Sequence, residues 1–388
     1  MNERYLGLPV YVGSNKSKVF AYLKERIWSR IQGWKEKMLS RVGKEILIKA
    51  VAQAIPTFAM GCFDITKEIC NQISTLICRY WWSNQDKEKK IHWIRWEKLT
   101  EPKGNGGLGF RDIHTFNLAM LAKQSWRFLL NLDSLCAWVL GAKYFLGGDV
   151  LAARPCRNMS YTWRSILRGV EVLKRRVIWR VGDGRRIRIW DDPWIPWDWT
   201  RKPVTPRMRN ILVHVDELID PNTGQWDEQL IRQTFWPQDV DLILSIPVHV
   251  EMEDVVAWHY DSKGLFTLRS AYKVQRAYEK RTSKKGEASS SCAGADMDKL
   301  LWKKLWKLNC PGKIKHHIWC MAHNSLAVRK ELSRRGMDLD TKCVMCSRYD
   351  EDGAHLFFKC NCVKHVWAAL GLEHHVAFCQ KRCHHWMW

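Results

Sequence analysis

The chain has 388 residues, of which 46% are apolar, and this composition supports two or three globular domains and excludes a wholly disordered protein. Lysine and arginine number 63 against 40 acidic residues, and the formal charge of +23 indicates a polyanionic partner such as nucleic acid or an acidic membrane face. No stretch approaches the ~20 consecutive apolar residues of a membrane span, and the N-terminus lacks the apolar core of a signal peptide. We therefore expect no membrane association and reduced cysteines, as in the cytosol or nucleus.

The N-terminal part of the chain has the apolar periodicity of helices. From Val19 to Met38 the apolar residues recur at gaps of three and four, which places them on one face of a helix. Ser40 is a predicted N-cap for a second helix over residues 43–55, which ends before Pro56.

A third helix is predicted over residues 68–82, followed by a charged turn over residues 87–90. The glycine-rich segment 104–109 could cradle a phosphate, but it lacks the Lys-Ser/Thr pair of a P-loop. We interpret it as a flexible turn that leads into a helix over residues 116–132.

The middle of the chain has the densest positive charge. Residues 177–181 and 186–190 alternate, and the Gly-Asp-Gly turn between them predicts a β-hairpin. One face would carry arginines beside Trp190, with Trp179 as a second stacking surface, which suits a phosphate backbone and its bases. The candidate nucleic-acid-binding residues are Arg164, Arg168, Lys174, Arg175, Arg176, Arg180, Arg185, Arg186 and Arg188.

Two other interpretations of these basic residues stay open. They could form an ordinary solvated face. They could also pair with carboxylates from elsewhere in the chain, for which the candidates are Asp216, Glu217, Glu251, Glu253 and Asp254.

A second hairpin is predicted from residues 255–260 and 265–268, and a helix is predicted to start near Ser270. Residues 280–299 are polar and aperiodic, which is typical of a flexible linker. Three short helices are predicted after it, over residues 300–308, 314–322 and 326–335.

His316 and His317 lie on the second of these helices, and we expect both to be exposed. A last helix is predicted to carry Cys360 and to seal the C-terminal module with Val363, Val366 and Trp367.

The spacing C-x2-C-x8-H-x4-C is the strongest chemical motif of the chain. Two cysteines separated by two residues form a knuckle that supplies half of a tetrahedral zinc site, and the histidine and third cysteine can complete it. Because four protein ligands leave no position for a catalytic water, we interpret the zinc as structural. The alternative is a set of free, buried thiols. The predicted ligands are Cys343, Cys346, His355 and Cys360.

The C-terminal tail is also rich in cysteine and histidine. Its irregular spacing favours an out-of-frame or truncated tail over a second metal site. The residues concerned are His374, His375, Cys379, Cys383, His384 and His385.

Several long motifs resemble the part of a plant LINE-type (non-LTR) retrotransposon reverse transcriptase that lies downstream of its palm. The cysteine-rich loop resembles the reverse-transcriptase zinc-binding domain, and the four predicted ligands fall on the ligand positions of that family. The motifs include Tyr5-Leu-Gly-Leu-Pro9, Leu39 to Lys49, Gly106 to Asp112, Leu121 to Gln124, Trp179 to Gly184, Ile189 to Ile195, Gly264 to Tyr272 and Trp306 to Lys313.

The resemblance implies a mainly α fold with small β-hairpins (α+β). It also implies a non-catalytic fragment with structural zinc and sequence-independent RNA or DNA binding, without a small-molecule substrate. We expect no counterpart of the family's palm aspartates, because they precede the motif that begins here at Tyr5, and no RNase H domain, because too few residues follow Cys360. Two acidic segments only look similar to a polymerase motif: Asp191-Asp192 lies in a predicted turn, and Tyr349 to Asp352 lies in the zinc loop. The implied regions are 1–135 (thumb-like), 136–279 (basic connector), 280–299 (linker), 300–372 (zinc-binding) and 373–388 (tail).

Two other function classes are weighed against this one. A zinc deaminase needs H-x-E and P-C-x-x-C, but His249-Val-Glu251 lies far upstream and Lys342 replaces the proline. A protein-interaction module in which zinc merely stabilises the surface is the remaining alternative.

Overall fold

The computed structural model describes residues 4–35, 37, 39–83, 91–145, 150–197, 199–283 and 293–374. Helices dominate this part of the chain, and its strands form two small antiparallel sheets of two strands each. The predicted mainly α fold with small β elements is therefore confirmed. No helix within these ranges combines the length and the apolar character that crossing a lipid bilayer requires.

The elements are numbered in chain order. The strands are β1 (Arg4–Tyr5), β2 (Leu8–Pro9), β3 (Val177–Arg180) and β4 (Val255–Trp258). The helices of the first half are α1 (Lys16–Lys35), α2 (Arg41–Leu47), α3 (Thr57–Met60), α4 (Lys67–Trp82), α5 (Trp96–Leu99), α6 (Ile113–Leu130), α7 (Leu135–Tyr144) and α8 (Tyr161–Lys174). Those of the second half are α9 (Glu228–Thr234), α10 (Pro237–Leu244), α11 (Leu268–Ser283), α12 (Ala293–Lys307), α13 (Gly312–Ala322), α14 (Arg329–Ser333) and α15 (Asn361–Ala369).

The described residues group into two compact units. Those within 1–19, 56–67 and 114–287 form the first unit, and those within 20–55, 68–113 and 288–388 form the second. Each unit draws on three separate stretches of sequence, so a unit is not one continuous region of the chain. The expected order of thumb-like, connector and zinc-binding regions stays a prediction.

Helices α6 and α8 pack closely in the first unit. A Cβ atom on Gly169 would lie 2.4 Å from the backbone oxygen of Leu121, so the contact requires a residue without a side chain. Across the same contact, the hydroxyl of Ser125 donates a 2.9 Å hydrogen bond to the carbonyl of Ile166. With its apolar face buried in this way, α8 exposes its opposite face, which carries Arg164 and Arg168.

The predicted hairpin of residues 177–181 and 186–190 is wrong. Strand β3 pairs with β4 instead, in a register that places Val177 opposite Trp258 and Arg180 opposite Val255. Residues 187–189 are extended, but they bond to a different segment: Ile189 N–H donates to the carbonyl of Val213, and Val215 N–H donates to that of Ile187.

A buried carboxylate explains this pairing. Asp254 is 2% exposed and accepts hydrogen bonds from the backbone N–H groups of Gly182, Gly184 and Arg186 at 2.7, 3.0 and 2.9 Å. The turn after β3 is therefore hydrogen-bonded to the residue before β4. As a result, residues 186–190 do not fold back to pair with β3.

The second predicted hairpin, residues 255–260 with 265–268, is also wrong, because β4 pairs with β3 and not with residues 265–268. The N–H of Trp258 donates to the carbonyl of Gly264 at 2.9 Å, so a turn does form after β4. Residues 265–267 do not continue as a strand, and α11 begins at Leu268, close to the predicted start.

The helical predictions for the second unit are confirmed. On α1 the apolar positions Phe20, Leu23, Ile27 and Ile31 are buried. The Ser40 hydroxyl accepts a hydrogen bond from the N–H of Gly43 at 3.3 Å and thus caps α2 as predicted, and a π-helical turn over 48–52 continues that helix.

The glycine-rich segment forms a turn, but the turn is packed rather than flexible. Gly106 has φ +81, and a Cβ atom on it would lie 2.7 Å from the Trp302 ring. The carbonyl of Gly106 accepts hydrogen bonds from the ring nitrogens of Trp319 and His323 at 2.8 and 2.7 Å. A phosphate would need backbone N–H donors, but those of Gly106, Gly107 and Gly109 already donate to backbone carbonyls, so the segment is not built as a phosphate cradle.

Some predictions fall on residues outside the described ranges. They are the charged turn at 87–90, Met38, the linker residues 284–292 and the tail from residue 375 onward. The flanking parts of the predicted linker are helical, since α11 ends at Ser283 and α12 begins at Ala293.

Candidate metal centre and basic surface

The cysteine-rich loop lies between α14 and α15. An antiparallel bridge joins Lys342 to Asp350 and closes the base of the loop. Within it, Cys343 N–H donates to the carbonyl of Tyr349, and Ser347 N–H donates back to that of Cys343, both at 2.8 Å. Ser347 takes φ +54, and this left-handed residue turns the chain directly after Cys346.

The second pair of predicted ligands is positioned by helical structure. A short π-helix runs from His355 to Lys359, and the carboxylate of Asp352 accepts the His355 N–H at 2.7 Å. Cys360 is the N-cap residue of α15, and its N–H donates to the carbonyl of His355 at 3.0 Å. The predicted helix is therefore confirmed in position, with Cys360 as its N-cap residue. The expectation that Val366 seals the module is wrong, because this side chain is 57% exposed.

The structure brings all four predicted ligands together. One ligand atom from each of Cys343, Cys346, His355 and Cys360 lies within 4.8 Å of all the others, and Cys346 Sγ is 3.2 Å from His355 Nε2. Tetrahedral Zn–S and Zn–N bonds of about 2.3 and 2.0 Å would separate the ligand atoms by roughly 3.5–3.8 Å. The donor set and its spacing therefore fit a four-coordinate metal ion.

Hydrogen bonds and burial act differently on the thiols of the knuckle. The backbone N–H groups of Arg348 and Tyr349, together with His355 and Cys343, lower the pKa of Cys346 to about 6. Burial raises the pKa of Cys343, which is 1% exposed. The thiolate is the form of cysteine that binds metal. The lowered pKa of Cys346 therefore favours the metal-binding form of this residue.

A second group of possible ligands, His214, Asp216 and Glu217, has a structural explanation. The Glu217 carboxylate accepts the backbone N–H groups of His214 and Val213 at 2.8 and 3.0 Å and caps the short 3₁₀ turn that follows. These bonds also lower the pKa of Glu217. We assign no metal to this group.

The nine basic residues lie on α8, on the turn between α8 and β3, on β3 and on the segment after β3, and several form ion pairs. Five of the pairs join Arg168 to Asp64, Lys174 to Glu171, Arg185 to Asp183, Arg186 to Glu253 and Arg188 to Asp192, at 3.6, 3.2, 4.0, 3.6 and 3.2 Å. Of the acids proposed as partners from the sequence, Glu253 takes part in one of these five pairs, while Asp254 bonds the Arg186 backbone.

Other contacts of these residues are to neutral groups. Arg175 donates to the side-chain oxygen of Gln275, and its guanidinium lies 3.8 Å from the centre of the Tyr278 ring. Arg180 donates to the carbonyl of Ser262 at 2.8 Å. The basic residues are thus oriented by the protein, yet Arg164, Arg168, Arg180, Arg185, Arg186 and Arg188 stay exposed.

The expectation that Trp190 offers a free stacking surface is wrong. Its ring stacks on Phe235 at 5.4 Å, and its N–H donates to the carbonyl of Leu212 at 2.9 Å. Trp179 is half-buried against the same core, and the Arg186 guanidinium lies 5.7 Å from its ring centre. The alternation of side chains is as predicted, because Ile187 and Ile189 are buried and Arg186 and Arg188 are not.

The expectation that His316 is exposed is also wrong, whereas His317 is exposed as predicted. His316 is 3% exposed, and its Nε2 atom lies 2.9 Å from a carboxylate oxygen of Glu45. Lys49 and Lys103 approach the other oxygen of Glu45 at 2.6 and 2.8 Å. Sequence reasoning missed this buried cluster because its members are spread over three segments.

The fold and the ligand cluster together define the class of the C-terminal region. Residues 266–367 match the family described as zinc-binding in reverse transcriptase, and this range contains all four predicted ligands. The chain is 29% identical to a protein of Arabidopsis thaliana named as a ribonuclease H protein, over 374 residues that make up 93% of this chain and 57% of that protein. It is 38% identical to an uncharacterized mitochondrial protein of the same plant, over 143 residues, which are 37% of this chain and 93% of that protein.

The chain belongs to the family of plant retrotransposon-derived reverse-transcriptase proteins that these relatives represent. It spans a little over half the length of the first of them, at 57%, and nearly all of the second. The resemblance to plant retrotransposon reverse transcriptases is thereby confirmed, whereas the LINE type stays a prediction.

Proposed function

We propose that the chain is a non-catalytic part of a LINE-type (non-LTR) reverse-transcriptase protein. In this proposal a structural zinc ion stabilises the C-terminal module, residues 300–372, and the basic surface of residues 164–188 holds RNA or DNA without sequence preference. The convergence of three cysteines and one histidine within 4.8 Å is the observation that carries the zinc assignment.

Zinc would be held by Cys343, Cys346, His355 and Cys360. A structural zinc ion supplies folding free energy, because its ligands are brought together only in the folded state. Here the loop has little apolar core of its own, and Val344, Met345 and Tyr349 are exposed. The metal therefore replaces the hydrophobic contacts that a loop of this size lacks.

The test of the zinc assignment compares two neighbouring cysteines. We expect the purified chain to carry one zinc per molecule and Cys360→Ser to lose it, with increased amide exchange over residues 340–369 and unchanged exchange in β3 and β4. Cys362→Ser is the matched control, since Cys362 lies outside the ligand cluster and bonds only to the Met345 carbonyl among the described residues. Metal analysis that finds no zinc, with exchange indifferent to a chelator, would refute the assignment.

The nucleic-acid half of the proposal is supported by charge and exposure. An exposed ion pair contributes only about 0–1 kcal/mol, so a phosphate group can displace the single carboxylate contacts of Arg185 and Arg186 at little cost. Each phosphate bound in their place releases condensed counterions, which favours binding at low salt. Arg188 is exposed beside them and remains paired with both oxygens of Asp192.

Binding of a single-stranded oligonucleotide tests this half. Replacing Arg185, Arg186 and Arg188 with glutamine should reduce the slope of log affinity against log salt by about 2, since each contact on a single strand contributes about 0.7. The control is the same charge removal at Lys18, Arg26 and Arg30 on α1, all exposed. An equal loss of slope in both variants would show that the net charge, and not this surface, holds the strand.

The absence of catalysis belongs to the same proposal. Four protein ligands leave a zinc ion without an open position for water or substrate. Asp192 is engaged by Arg188, whose backbone N–H, Nε and terminal nitrogen donate to its oxygens at 2.8, 3.3 and 3.2 Å. The Asp191-Asp192 pair is therefore a turn held to the basic surface and not a polymerase metal site.

A second function is favoured by one observation. Val344, Met345 and Tyr349 at the tip of the zinc loop are 63%, 65% and 66% exposed, which is the chemistry of a protein-docking surface. A zinc-stabilised protein-interaction module would bind no oligonucleotide even at low salt while keeping its zinc. That outcome distinguishes the two functions.

A further inference from the structure

The second unit contains a cavity of about 310 Å³ that the zinc site does not use. Its lining includes Arg41, Lys313, His316 and His317, and none of the nine residues that line it is acidic. The volume is at the lower end of the range of about 300–1,000 Å³ that ligand pockets occupy. A small anion is therefore the ligand that this lining favours.

Arg41 is held in a fixed orientation at one side of the cavity. Its guanidinium lies 5.2 Å from the Trp82 ring centre and 6.0 Å from that of Trp81, and one terminal nitrogen donates to Cys320 Sγ at 3.5 Å. Within the described part of the chain, the hydrogen bonds of this side chain thus use one of its five N–H donors. The fork geometry of a guanidinium suits a tetrahedral oxyanion, which it can bind through two parallel bonds.

His316 forms part of the cavity wall without offering the ligand a hydrogen bond. Its Nε2 atom contacts Glu45, and its Nδ1 atom is buried, without a hydrogen-bond partner among the described residues and closed to solvent. The polar contacts of a ligand therefore come from the charged side chains of the lining. Glu45 does not neutralise the cavity, because Lys49 and Lys103 share its carboxylate and it is not part of the lining.

The start of α13 brings further positive character to the cavity. Lys313 lies in the first turn of this 11-residue helix, where the N-terminal end of the helix dipole also favours an anion. A Cβ atom on Gly312 would lie 2.9 Å from the Val42 side chain, so the start of α13 approaches α2 closely enough to place Lys313 beside Arg41 at the same cavity. Ser325 also lines the cavity, but its hydroxyl already donates to the carbonyl of Cys320 at 2.9 Å, so the charged contacts are those of Arg41 and Lys313.

We propose that this cavity binds one phosphate group, with Arg41 and Lys313 as its charged contacts. The source to which we commit is a backbone phosphate of single-stranded nucleic acid, and this choice of source rests on the proposed function. The site itself does not, because the cavity lies in the second unit and the basic surface of residues 164–188 lies in the first.

Inorganic phosphate is the first probe, titrated into the full chain and followed by ³¹P NMR. We expect saturable binding that Arg41→Gln weakens at least about tenfold, the loss that one charge-assisted hydrogen bond explains. Lys313→Gln should weaken it as well, and its exposed side chain makes this variant independent of folding. Lys304→Gln, an equal charge change at an exposed residue outside the lining, should bind phosphate as the parent does. No saturable binding by the parent, or equal binding by Lys313→Gln and Lys304→Gln, would overturn the site.

A single-stranded oligonucleotide is the second probe and tests the source. If a backbone phosphate occupies the cavity, Lys313→Gln should lower the slope of log affinity against log salt by about 0.7, and Lys304→Gln should not. Loss of phosphate binding with an unchanged slope would overturn the nucleic-acid source and assign the cavity to a free phosphate compound. A parent that binds phosphate but no oligonucleotide would refute the proposed function and leave the phosphate site standing.

Discussion

At the scale of single residues, Gly106 shows how a position without a side chain fixes its surroundings. Its positive φ and its contact with Trp302 both exclude a larger residue, and its carbonyl accepts the ring N–H groups of Trp319 and His323. Burial lowers the pKa of His323 to about 4, against the effect of its bond to Gly106. His323 is therefore a neutral donor at physiological pH, and the turn and α13 form one packed structure.

We predict that Gly106→Ala destabilises the protein by about 1–3 kcal/mol, because the alanine is strained in the left-handed region and overlaps the Trp302 ring. Urea unfolding measures the change. Gly33→Ala is the matched control: Gly33 lies within α1, where an added Cβ atom would meet open space, and there we expect a gain of about 0.5–1 kcal/mol. Equal stability of the parent and Gly106→Ala would show that Trp302 moves aside without cost.

Residues whose role depends on local spacing could be predicted from the sequence. The four residues of the cysteine-rich loop span 343–360, and the Ser40 cap acts on a residue three positions away. His316 could not be predicted in the same way, because the residue that buries and pairs it, Glu45, is 271 positions distant. Residues this far apart in sequence come together only in the folded chain. Nothing in the sequence near His316 indicates that its side chain is buried.

At the scale of elements, the same distinction separates the helices from the strands. The apolar periodicity of α1, α4 and α13 depends on neighbours three and four residues apart, and all three helices form close to their predicted bounds. Strand pairing depends on a partner that the local pattern does not name. The alternation of residues 186–189 correctly separates buried from exposed side chains, but the segment that bonds to them lies near Val213 and Val215, where the local pattern does not point.

We predict that Asp254→Asn destabilises the protein by at least about 2 kcal/mol, since it removes the charge from an acceptor of three backbone N–H groups and turns an amide donor toward one of them. Unfolding in urea gives the difference, and amide exchange of Gly182, Gly184 and Arg186 should increase. Asp220→Asn is the control, because Asp220 bonds backbone within its own turn, and we expect it to cost less than about 1 kcal/mol. If Asp254→Asn costs no more than this control, the carboxylate is not what selects the β3–β4 pairing.

At the scale of the whole molecule, the net charge of +23 means that basic side chains far outnumber acidic ones. A buried carboxylate that pairs with several basic side chains, as Glu45 does, is therefore important for stability. Burial alone would raise the pKa of Glu45, but the hydrogen bonds from His316, Lys103 and Lys49 outweigh it and hold that pKa well below its usual range. Burial lowers the pKa of Lys49 in spite of its bond to Glu45. The carboxylate is therefore the group on which three basic side chains depend.

We predict that stability falls with acid through Glu45. Because its folded pKa is depressed, its contribution is complete above the unfolded value of about 4.3 and is lost as the pH falls below it. At neutral pH, Glu45→Gln should cost about 1–3 kcal/mol, since it leaves the half-buried ammonium groups of Lys49 and Lys103 without the carboxylate that they share. The parent should then lose more stability than the variant between about pH 6 and pH 3.

Urea unfolding across this pH range measures both effects. Glu228→Gln is the control, because Glu228 forms an exposed pair with Arg232 and should change stability by less than about 1 kcal/mol. Parallel pH profiles for the parent and Glu45→Gln would show that another carboxylate causes the acid sensitivity.

The pairing of β3 with β4 has a topological consequence. Gly182 and Asp254, which are 72 positions apart, are joined by a 2.7 Å hydrogen bond, so the chain between them leaves the helical part of the first unit and returns to the same place. That stretch has a core of its own, whose buried members all lie between Val181 and Ile243. It is therefore a segment with adjacent ends and its own core. Closing a flexible loop costs only about 0.6 kcal/mol more for each doubling of its length, so the joined ends at Gly182 and Asp254 would tolerate a longer or shorter segment between them.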